Sequence, residues 1–357
     1  MKILFALPGF HKFDRGAEVA LLSVADQMAK AGMDVTVVGS GEERSDKSYS
    51  YRQVGSISRE RFEKLPSVPV FRNETHWEDM TFAINLMRKI DLGMFDASVT
   101  CAFPFSHWAL RRGRKQGSKH FFVTQNGDWP AFSDESEYSK FHCDGLVCTN
   151  PDYFERNKDR WNCALIPNGA DLSRFRPDPV SRADFEFPAD KKIVLMVSAF
   201  IETKRVAEAV EAVARTNDTF LVVAGNGPLR SQVNQLAGKL LPGRYKQLTL
   251  PAEKMPALYN AADVFLHLSL LESFGNVFVE AMACGLPIVG HDTERLRWIV
   301  GDHEFLGDTQ NPAELTQLLE KALAAEDRAL NPNIERFAWP TIAKSYADFM
   351  AKTVQAG

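Results

Sequence analysis

The chain has 357 residues, of which 45% are hydrophobic and 25% are charged, and its formal net charge at pH 7 is −4. This composition is that of an ordinary globular protein, and the length allows two separate hydrophobic cores. The negative charge argues against nucleic acid as the main partner, and no apolar run approaches the ~20 residues that span a bilayer. The five cysteines are odd in number and lie mostly in apolar strings, which favours reduced thiols in a cytoplasmic protein.

The first half of the chain alternates predicted strands with helical stretches. An apolar run at 3–7 and a glycine-bounded loop precede a predicted helix at 17–31 and a strand at 35–38, a pattern typical of a βαβ unit. Short apolar runs predict three more strands, at 97–101, 120–124 and 145–149.

The second half repeats this alternation after a break. Residues 175–192 carry several Pro and Asp residues with weak periodicity, and we interpret them as an interdomain linker. Two alternating blocks indicate two doubly wound α/β domains with ligand at the carboxyl ends of the strands. The strands of the second block are predicted at 193–198, 220–224, 247–250, 264–268 and 288–289, and its helices at 206–214, 229–241, 255–260 and 315–325, before a terminal amphipathic helix at 340–352.

The most informative segment contains two glutamates, Glu272 and Glu280, in a pattern of loop, helix and apolar strand. If the helix begins near Gly275, its first residues, 276–278, present unpaired backbone N–H groups that suit an anion such as phosphate. Glu272 then lies on the loop beside the same ligand, and Glu280 lies in the first two turns. This arrangement is suited to holding a sugar nucleotide. The alternative is a surface Glu followed by a Glu that only caps the helix dipole.

Four blocks in this order resemble glycosyltransferase family 4. They are Arg15–Glu18 before the first helix, 165–172 with the following Phe175, the Gly loop at 223–228, and the segment from Glu272 to Glu280. The resemblance implies an α/β fold of the GT-B class, with two Rossmann-like doubly wound parallel-sheet domains around an interdomain cleft. It implies an N-terminal acceptor-binding domain at 1–172, with the C-terminal helix 340–357 packing back on it, and a nucleotide-sugar-binding domain at 173–339.

The activity that the resemblance implies is retaining, metal-independent glycosyl transfer. The donor is a UDP- or GDP-sugar, and the acceptor is a hydroxyl of a saccharide or of a lipid-linked acceptor in cell-surface glycan synthesis. No cofactor and no metal are expected, because the nucleotide sugar is a substrate and no Asp-x-Asp motif lies in a suitable loop. Two alternatives stay open: a non-catalytic nucleotide-sugar-binding subunit, and another GT-B enzyme such as a nucleotide-sugar epimerase.

A basic cluster in the first half bears on localisation. Its members are Arg111, Arg112, Arg114, Lys115 and Lys119. Such a cluster suits a peripheral contact with anionic lipid at the inner membrane face, or an anionic acceptor. The alternative is a solvated helix end and loop.

The resemblance also assigns roles around the donor. Glu280 is expected to accept hydrogen bonds from the ribose hydroxyls. Glu272 is expected to bind a donor-sugar hydroxyl and to stabilise positive charge in the transition state. Lys204 matches a family Lys that touches the diphosphate, whereas Ala199 stands where the family has an Arg, so that Arg205 is the candidate substitute. The other predicted donor contacts, mostly backbone groups, are Gly16, Gly227, Pro251, Phe274, Gly275, Asn276 and Val277.

The acceptor side departs from the family pattern. Many members carry a His near the reacting sugar, and here Asn126 stands in its place. We predict a catalytic role for Asn126, with Gln125 and Asp128 as neighbouring groups that hydrogen-bond donor-sugar or acceptor hydroxyls. His107 is the best histidine for an acceptor-side role, although packing is the commoner reason for such a residue.

Overall fold

The computed structural model describes residues 1–133, 140–270, 272–301, 305–325 and 330–356. The chain forms two compact units. Unit 1 comprises Met1–Gly169 and Trp339–Gly357, and unit 2 comprises Ala170–Ala338. Among the described helices, none is both long enough and apolar enough to cross a membrane.

The described part of unit 1 contains a seven-stranded sheet in which every neighbouring pair is parallel. The strand order is β3-β2-β1-β4-β5-β6-β7, so the winding direction reverses between β1 and β4. The five central strands, β2, β1, β4, β5 and β6, are buried at every residue or at every residue but the first, as parallel strands covered on both faces are. The strands are β1 (Lys2–Ala6), β2 (Asp34–Gly39), β3 (Ser50–Gln53), β4 (Ala97–Thr100), β5 (Lys119–Val123), β6 (Gly145–Cys148) and β7 (Cys163–Leu165).

Asparagine side chains cap the beginnings of two helices in unit 1. The side chain of Asn73 accepts hydrogen bonds from two backbone N–H groups at the start of one helix, and Asn150, followed by Pro151, caps another. The helices that precede the second unit are α1 (Gly16–Lys30), α2 (Glu74–Lys89), α3 (Phe105–Arg111), α4 (Trp129–Phe132) and α5 (Pro151–Asn157).

Unit 2 contains a second parallel sheet, with six strands in its described residues and the order β10-β9-β8-β11-β12-β13. Here the winding direction reverses between β8 and β11. The strands are β8 (Lys192–Val197), β9 (Thr219–Ala224), β10 (Tyr245–Leu248), β11 (Val264–His267), β12 (Ile288–His291) and β13 (Phe305–Gly307). The helices are α6 (Val206–Ala214), α7 (Arg230–Leu240), α8 (Met255–Ala261), α9 (Asn276–Ala283), α10 (Glu294–Val300) and α11 (Pro312–Leu323). The prediction of two doubly wound, Rossmann-like parallel-sheet domains is confirmed.

The predicted linker, 175–192, is not a linker in the structure. Phe175 and Phe187 are 9% and 6% exposed and pack into the core of unit 2. Arg182 between them donates hydrogen bonds to the carbonyl of Ala261 at 3.1 Å and to the carboxylate of Asp263 at 2.5 Å. The Pro and Asp residues give the stretch an irregular pattern, but its aromatic side chains pack into the core and hold it against unit 2.

The last helix, α12 (Trp339–Gln355), belongs to unit 1 and packs against α1. Its buried face carries Ile342, Tyr346 and Met350 at helical spacing. These side chains join the core that lies under α1 and β1. The last helix therefore completes the hydrophobic core of the unit that holds the N-terminus.

We predict that Met350→Ala destabilises the protein by about 2–5 kcal/mol, because Met350 is fully buried and the truncation leaves a cavity. Lys344→Ala on the same helix is the control, since its side chain is 77% exposed. Thermal unfolding should show a clear fall in Tm for the first variant and almost none for the second. Equal Tm values for wild type and Met350→Ala would mean that α12 does not contribute to the core in this way.

Candidate functional site

The strand order of unit 2 brings two loops together at the carboxyl edge of the sheet. β8 and β11 are neighbours, and the winding direction changes between them. In open α/β sheets, ligands bind beyond the carboxyl ends of the strands at such a switch point. The loop after β8 carries Lys204, and the loop after β11 carries Glu272.

Lys204, Glu272 and His267 form one hydrogen-bonded cluster at this edge. Lys204 Nζ and His267 Nε2 both donate to the same carboxylate oxygen, Glu272 Oε1, and the bond from His267 is 2.8 Å long. The side chains of Lys204 and Glu272 are each 20% exposed, whereas that of His267 is 2% exposed. No described residue donates to Glu272 Oε2, which leaves that oxygen available to a ligand hydroxyl.

The cluster keeps the Glu272 carboxylate ionised. Burial by itself favours the protonated form, but the bonds and charges of His267 and Lys204 outweigh it and lower the pKa of Glu272 to about 2. A carboxylate with this pKa is ionised at neutral pH. Its position and its charge both suit stabilisation of positive charge on a neighbouring sugar.

The other glutamate, Glu280, has the opposite character. It lies on α9, and its Oε2 accepts a hydrogen bond of 2.7 Å from the hydroxyl of Tyr259. Burial raises the pKa of Glu280 to about 7, although the Tyr259 bond and the charge of Arg174 oppose the rise. No described residue bonds to Oε1. Glu280 is therefore a poorly satisfied carboxyl group that gains from hydroxyl donors on a ligand.

The beginning of α9 fits the prediction only in part. The helix begins at Asn276, and Gly275 before it has φ +93°, where an added Cβ would come within 2.7 Å of the Phe278 ring. The expectation that Phe278 presents an unpaired N–H is wrong, because this group donates to the Gly275 carbonyl at 3.0 Å. The Phe274 side chain packs with Trp298 in the core. Val277 also packs against this core, so both residues are left with backbone groups for the predicted donor contacts.

Arg205 does not have a free guanidinium group. It makes four hydrogen bonds within unit 2: two to Thr309, one to the Leu268 carbonyl and one to Glu208. Its backbone also has a positive φ, +55°, between a short 3-10 turn and α6. These contacts favour a role in fixing the loop that carries Lys204 over the predicted contact with a diphosphate.

Two further predicted donor contacts lie on neighbouring loops. A Cβ on Gly227 would come within 2.7 Å of the Phe200 backbone, and the N–H of Gly227 already donates to the side chain of Asn226 at 2.9 Å. Close packing is therefore sufficient reason for this glycine. Pro251 is exposed and precedes a short 3-10 turn, Ala252–Lys254, near the end of β10.

The structure contradicts an acceptor-side role for His107. Its side chain is fully buried, and its Nδ1 lies 3.0 Å from Nε2 of His120, which in turn bonds to Ser98 through Nδ1 at 2.9 Å. Burial lowers the pKa of both rings well below the usual histidine value. His107 thus belongs to a neutral, hydrogen-bonded core chain and does not reach a substrate.

Gln125 and Asp128 are also committed within unit 1. Gln125 is buried in a reciprocal amide pair with Asn168, with bonds of 2.6 and 2.9 Å. The side chain of Asp128 is buried. Its carboxylate accepts two hydrogen bonds of 2.9 Å from the Arg156 guanidinium and one of 2.8 Å from the Asn157 amide. Their predicted contacts with sugar hydroxyls are not supported, because their polar atoms already have partners.

Asn126 and Gly16 remain accessible in unit 1. Asn126 is exposed, and within the described part of the chain its side-chain amide makes one long contact, of 4.0 Å, with Cys101 Sγ. Gly16 is exposed at the first position of α1. Of the residues predicted in this unit, these two keep the freedom that a ligand contact needs, and their roles stay predictions.

Sequence reasoning missed His267 and Tyr259, the partners of the two glutamates. Both are buried side chains at apolar positions, His267 at the end of β11 and Tyr259 on α8. One signal was present in the sequence: a histidine ending an otherwise apolar strand, close to a carboxylate on the following loop. The pairing itself depends on how the loop folds back.

Two family models match the chain. The model of glycosyltransferase family 4 matches residues 15–174, and the model of glycosyl transferases group 1 matches residues 178–336. The chain belongs to glycosyltransferase family 4. The prediction made from the four sequence blocks is confirmed, and the protein is a glycosyltransferase.

Relatives and solved structures agree with this assignment. LpsD of Rhizobium meliloti, a lipopolysaccharide core biosynthesis glycosyltransferase, is 28% identical over 69% of this chain and 74% of LpsD. LpsE of the same organism, with the same description, is 32% identical over 52% of this chain and 53% of LpsE, so the match spans about half of that relative. The structure of Anabaena HepE in complex with UDP-glucose has a TM-score of 0.75 at 17% identity, covering 99% of this chain and 100% of HepE. Similarity at that identity supports the fold alone, which is of the predicted GT-B class.

We predict that Glu280→Gln stabilises the protein at pH 8 in the absence of ligand. In the folded protein Glu280 has a pKa of about 7, above its ordinary value of 4.5. The folded state therefore loses stability relative to the unfolded state as pH rises through that window. Glutamine cannot ionise and escapes this loss. Thermal unfolding should show a higher Tm for the variant at pH 8 and a difference that shrinks toward pH 5.

The matched control is Glu211→Gln, whose side chain is 47% exposed on α6. It should show no difference from wild type that depends on pH. If Glu280→Gln and wild type unfolded at the same temperature at pH 8, the carboxyl group of Glu280 would not be held in an unfavourable environment.

Proposed function

We propose that this glycosyltransferase transfers a sugar, with retention of anomeric configuration, from a UDP- or GDP-sugar to a hydroxyl of a saccharide or lipid-linked acceptor. The observation that carries the proposal is the cluster at the switch point of unit 2. It places a cation, Lys204, and an ionised carboxylate, Glu272, side by side at the carboxyl edge of a doubly wound sheet.

The two charges suit the two halves of a nucleotide sugar. Lys204 is the cation that neutralises the departing diphosphate, a use of fixed positive charge where negative charge accumulates. Glu272 accepts a hydrogen bond from a hydroxyl of the donor sugar and stabilises positive charge near the anomeric carbon. Glu280 accepts hydrogen bonds from the ribose hydroxyls through Oε1, the oxygen that does not bond to Tyr259. Because Lys204 supplies the charge, we propose that transfer needs no metal ion.

We infer retention of configuration, and the binding of donor and acceptor by different units, from membership of the family. Members of glycosyltransferase family 4 are expected to deliver the acceptor hydroxyl from the face that the leaving group vacates. We assign donor binding to unit 2 and acceptor binding to unit 1, where Asn126 is the accessible polar residue at the family's histidine position.

The relatives support a proposal for the biological setting. LpsD and LpsE are named as glycosyltransferases of lipopolysaccharide core biosynthesis. We propose that this chain likewise acts on a cell-surface glycan or its lipid-linked precursor, in the cytoplasm. The basic cluster from Arg111 to Lys119 is a candidate for a peripheral contact with the inner membrane face.

Two other functions predict different results. A non-catalytic binding subunit would bind the nucleotide sugar without consuming it, and an epimerase would change the sugar without an acceptor. Membership of a glycosyltransferase family favours transfer over both. Detection of a new glycosidic product that depends on the acceptor distinguishes transfer from the alternatives.

We predict that one nucleotide sugar, among a panel of UDP-, GDP- and ADP-sugars, raises the Tm of the wild type. A ligand at a hundred times its Kd adds about 2.7 kcal/mol of stability. Glu280→Ala should reduce affinity for the corresponding nucleoside diphosphate by roughly ten- to a hundredfold, since it removes a charge-assisted hydrogen bond to the ribose. Glu211→Ala, at an exposed site, should bind like the wild type in calorimetry.

The same donor should then be consumed with an acceptor present, in EDTA as well as without it. NMR of the product should show the anomeric configuration of the donor. Unchanged nucleoside diphosphate affinity in Glu280→Ala would remove the ribose assignment. Binding without turnover across a broad acceptor panel would favour the non-catalytic subunit.

A further inference from the structure

We propose that His267 is a positioning residue for the transfer reaction: it holds the Glu272 carboxylate in place when Lys204 leaves it for the donor diphosphate. This inference rests on the proposed function, because it assigns His267 a task only while a nucleotide sugar is bound. It goes beyond that function by naming a residue that does not touch the donor and yet determines where a charged group lies during transfer.

The two partners of Glu272 differ in mobility. His267 is the last residue of β11, is 2% exposed, and packs edge-on against the Phe278 ring with centroids 4.9 Å apart. Lys204 lies on a short 3-10 turn and is 20% exposed. A lysine has a flexible four-carbon stem and donors that rotate, whereas this imidazole is fixed by its packing.

Lys204 has two competing acceptors once the donor binds. Among the described residues, the ammonium bonds to the Glu272 carboxylate, which carries one negative charge. A diphosphate carries more negative charge and several acceptor oxygens, so it attracts the ammonium more strongly. When the ammonium moves, Glu272 keeps one protein partner, the bond of 2.8 Å from His267 Nε2. Without that bond, repulsion from the diphosphate pushes the carboxylate away from the anomeric carbon.

The hydrogen-bonding groups of His267 suit this task. An ionised carboxylate only accepts hydrogen bonds, so Nε2 carries a proton and donates to Glu272. Nδ1 is buried and has no hydrogen-bond partner among the described residues. Among the described residues, the ring therefore makes its hydrogen bond to Glu272 alone, and its packing fixes the direction of that bond.

The test compares three variants of the full-length protein, with the donor found by the nucleotide-sugar panel. His267→Phe keeps the ring and removes the donor. His267→Gln carries an amide N–H near the position of Nε2, and His267→Asn carries the same group too far back to reach Glu272. Thermal unfolding first identifies which variants are folded. Steady-state kinetics and calorimetry with the nucleoside diphosphate follow.

We expect His267→Phe and His267→Asn to lower kcat by roughly tenfold to a hundredfold, as displacement of a catalytic group by about 1 Å does. Their affinity for the nucleoside diphosphate should stay within about threefold of wild type, because Glu280 and Lys204 are untouched. His267→Gln should recover most of the lost kcat. The two variants without a donor should also lose kcat as pH falls toward 5, since a Glu272 carboxylate without its His267 bond has a higher pKa and becomes protonated earlier.

Two results would overturn the proposal. One is equal kcat in the Gln and Asn variants, which would show that packing rather than the hydrogen bond matters. The other is full kcat in either folded variant that lacks the donor. Because Gln and Asn differ only in reach, this comparison decides the matter even if His267→Phe does not fold. Failure of the proposed function itself would appear differently, as a wild-type protein that does not consume any nucleotide sugar.

Discussion

One carboxylate oxygen, Glu272 Oε1, accepts from both Lys204 and His267, and the chemistry of unit 2 depends on this shared contact. Lys204 lies on the loop after β8. His267 is the last residue of β11, and Glu272 lies on the loop that follows this strand. β8 and β11 are neighbours only because the winding of the sheet reverses between them. A buried carboxylate is stable only when such partners compensate for its lost hydration. The reversal of winding between β8 and β11 thus brings Lys204 close to Glu272 and His267, and these two partners stabilise the carboxylate.

Glu272 and Glu280 have the same side chain, but their surroundings give the two carboxyl groups very different pKa values. Glu272 has two donors on one oxygen and a pKa of about 2, whereas Glu280 has one neutral donor, Tyr259, and a pKa of about 7. The first is held as a fixed negative charge. The second is left with an unfavourable burial that hydroxyl groups on a ligand relieve. A site that binds its ligand by relieving such a cost is less stable when empty.

The sequence predicted the parts of the molecule that depend on local pattern. Buried parallel strands are short apolar runs, and α6 was predicted at the bounds that the structure gives it, Val206–Ala214. Two of the wrongly assigned residues depend on partners far along the chain. Gln125 pairs with Asn168, and Asp128 with Arg156, and neither pairing leaves a mark in the local sequence. The Pro and Asp residues in the stretch with Phe175 predict a linker, whereas the burial of this stretch depends on the second sheet. His267 was missed for a different reason: Glu272 is only five residues further along the chain, but the loop after β11 has to fold back before the two side chains meet.

The central claim is that Lys204 exchanges Glu272 for the diphosphate while His267 keeps hold of the carboxylate. A crystal structure of the protein with its nucleoside diphosphate tests this most directly. We expect Lys204 Nζ within hydrogen-bond distance of a phosphate oxygen and no longer bonded to Glu272, with the contact between His267 Nε2 and Glu272 Oε1 still near 2.8 Å. A complex in which Lys204 remains on Glu272 and the diphosphate lies elsewhere would contradict the account. So would one in which Glu272 leaves His267 to follow the lysine.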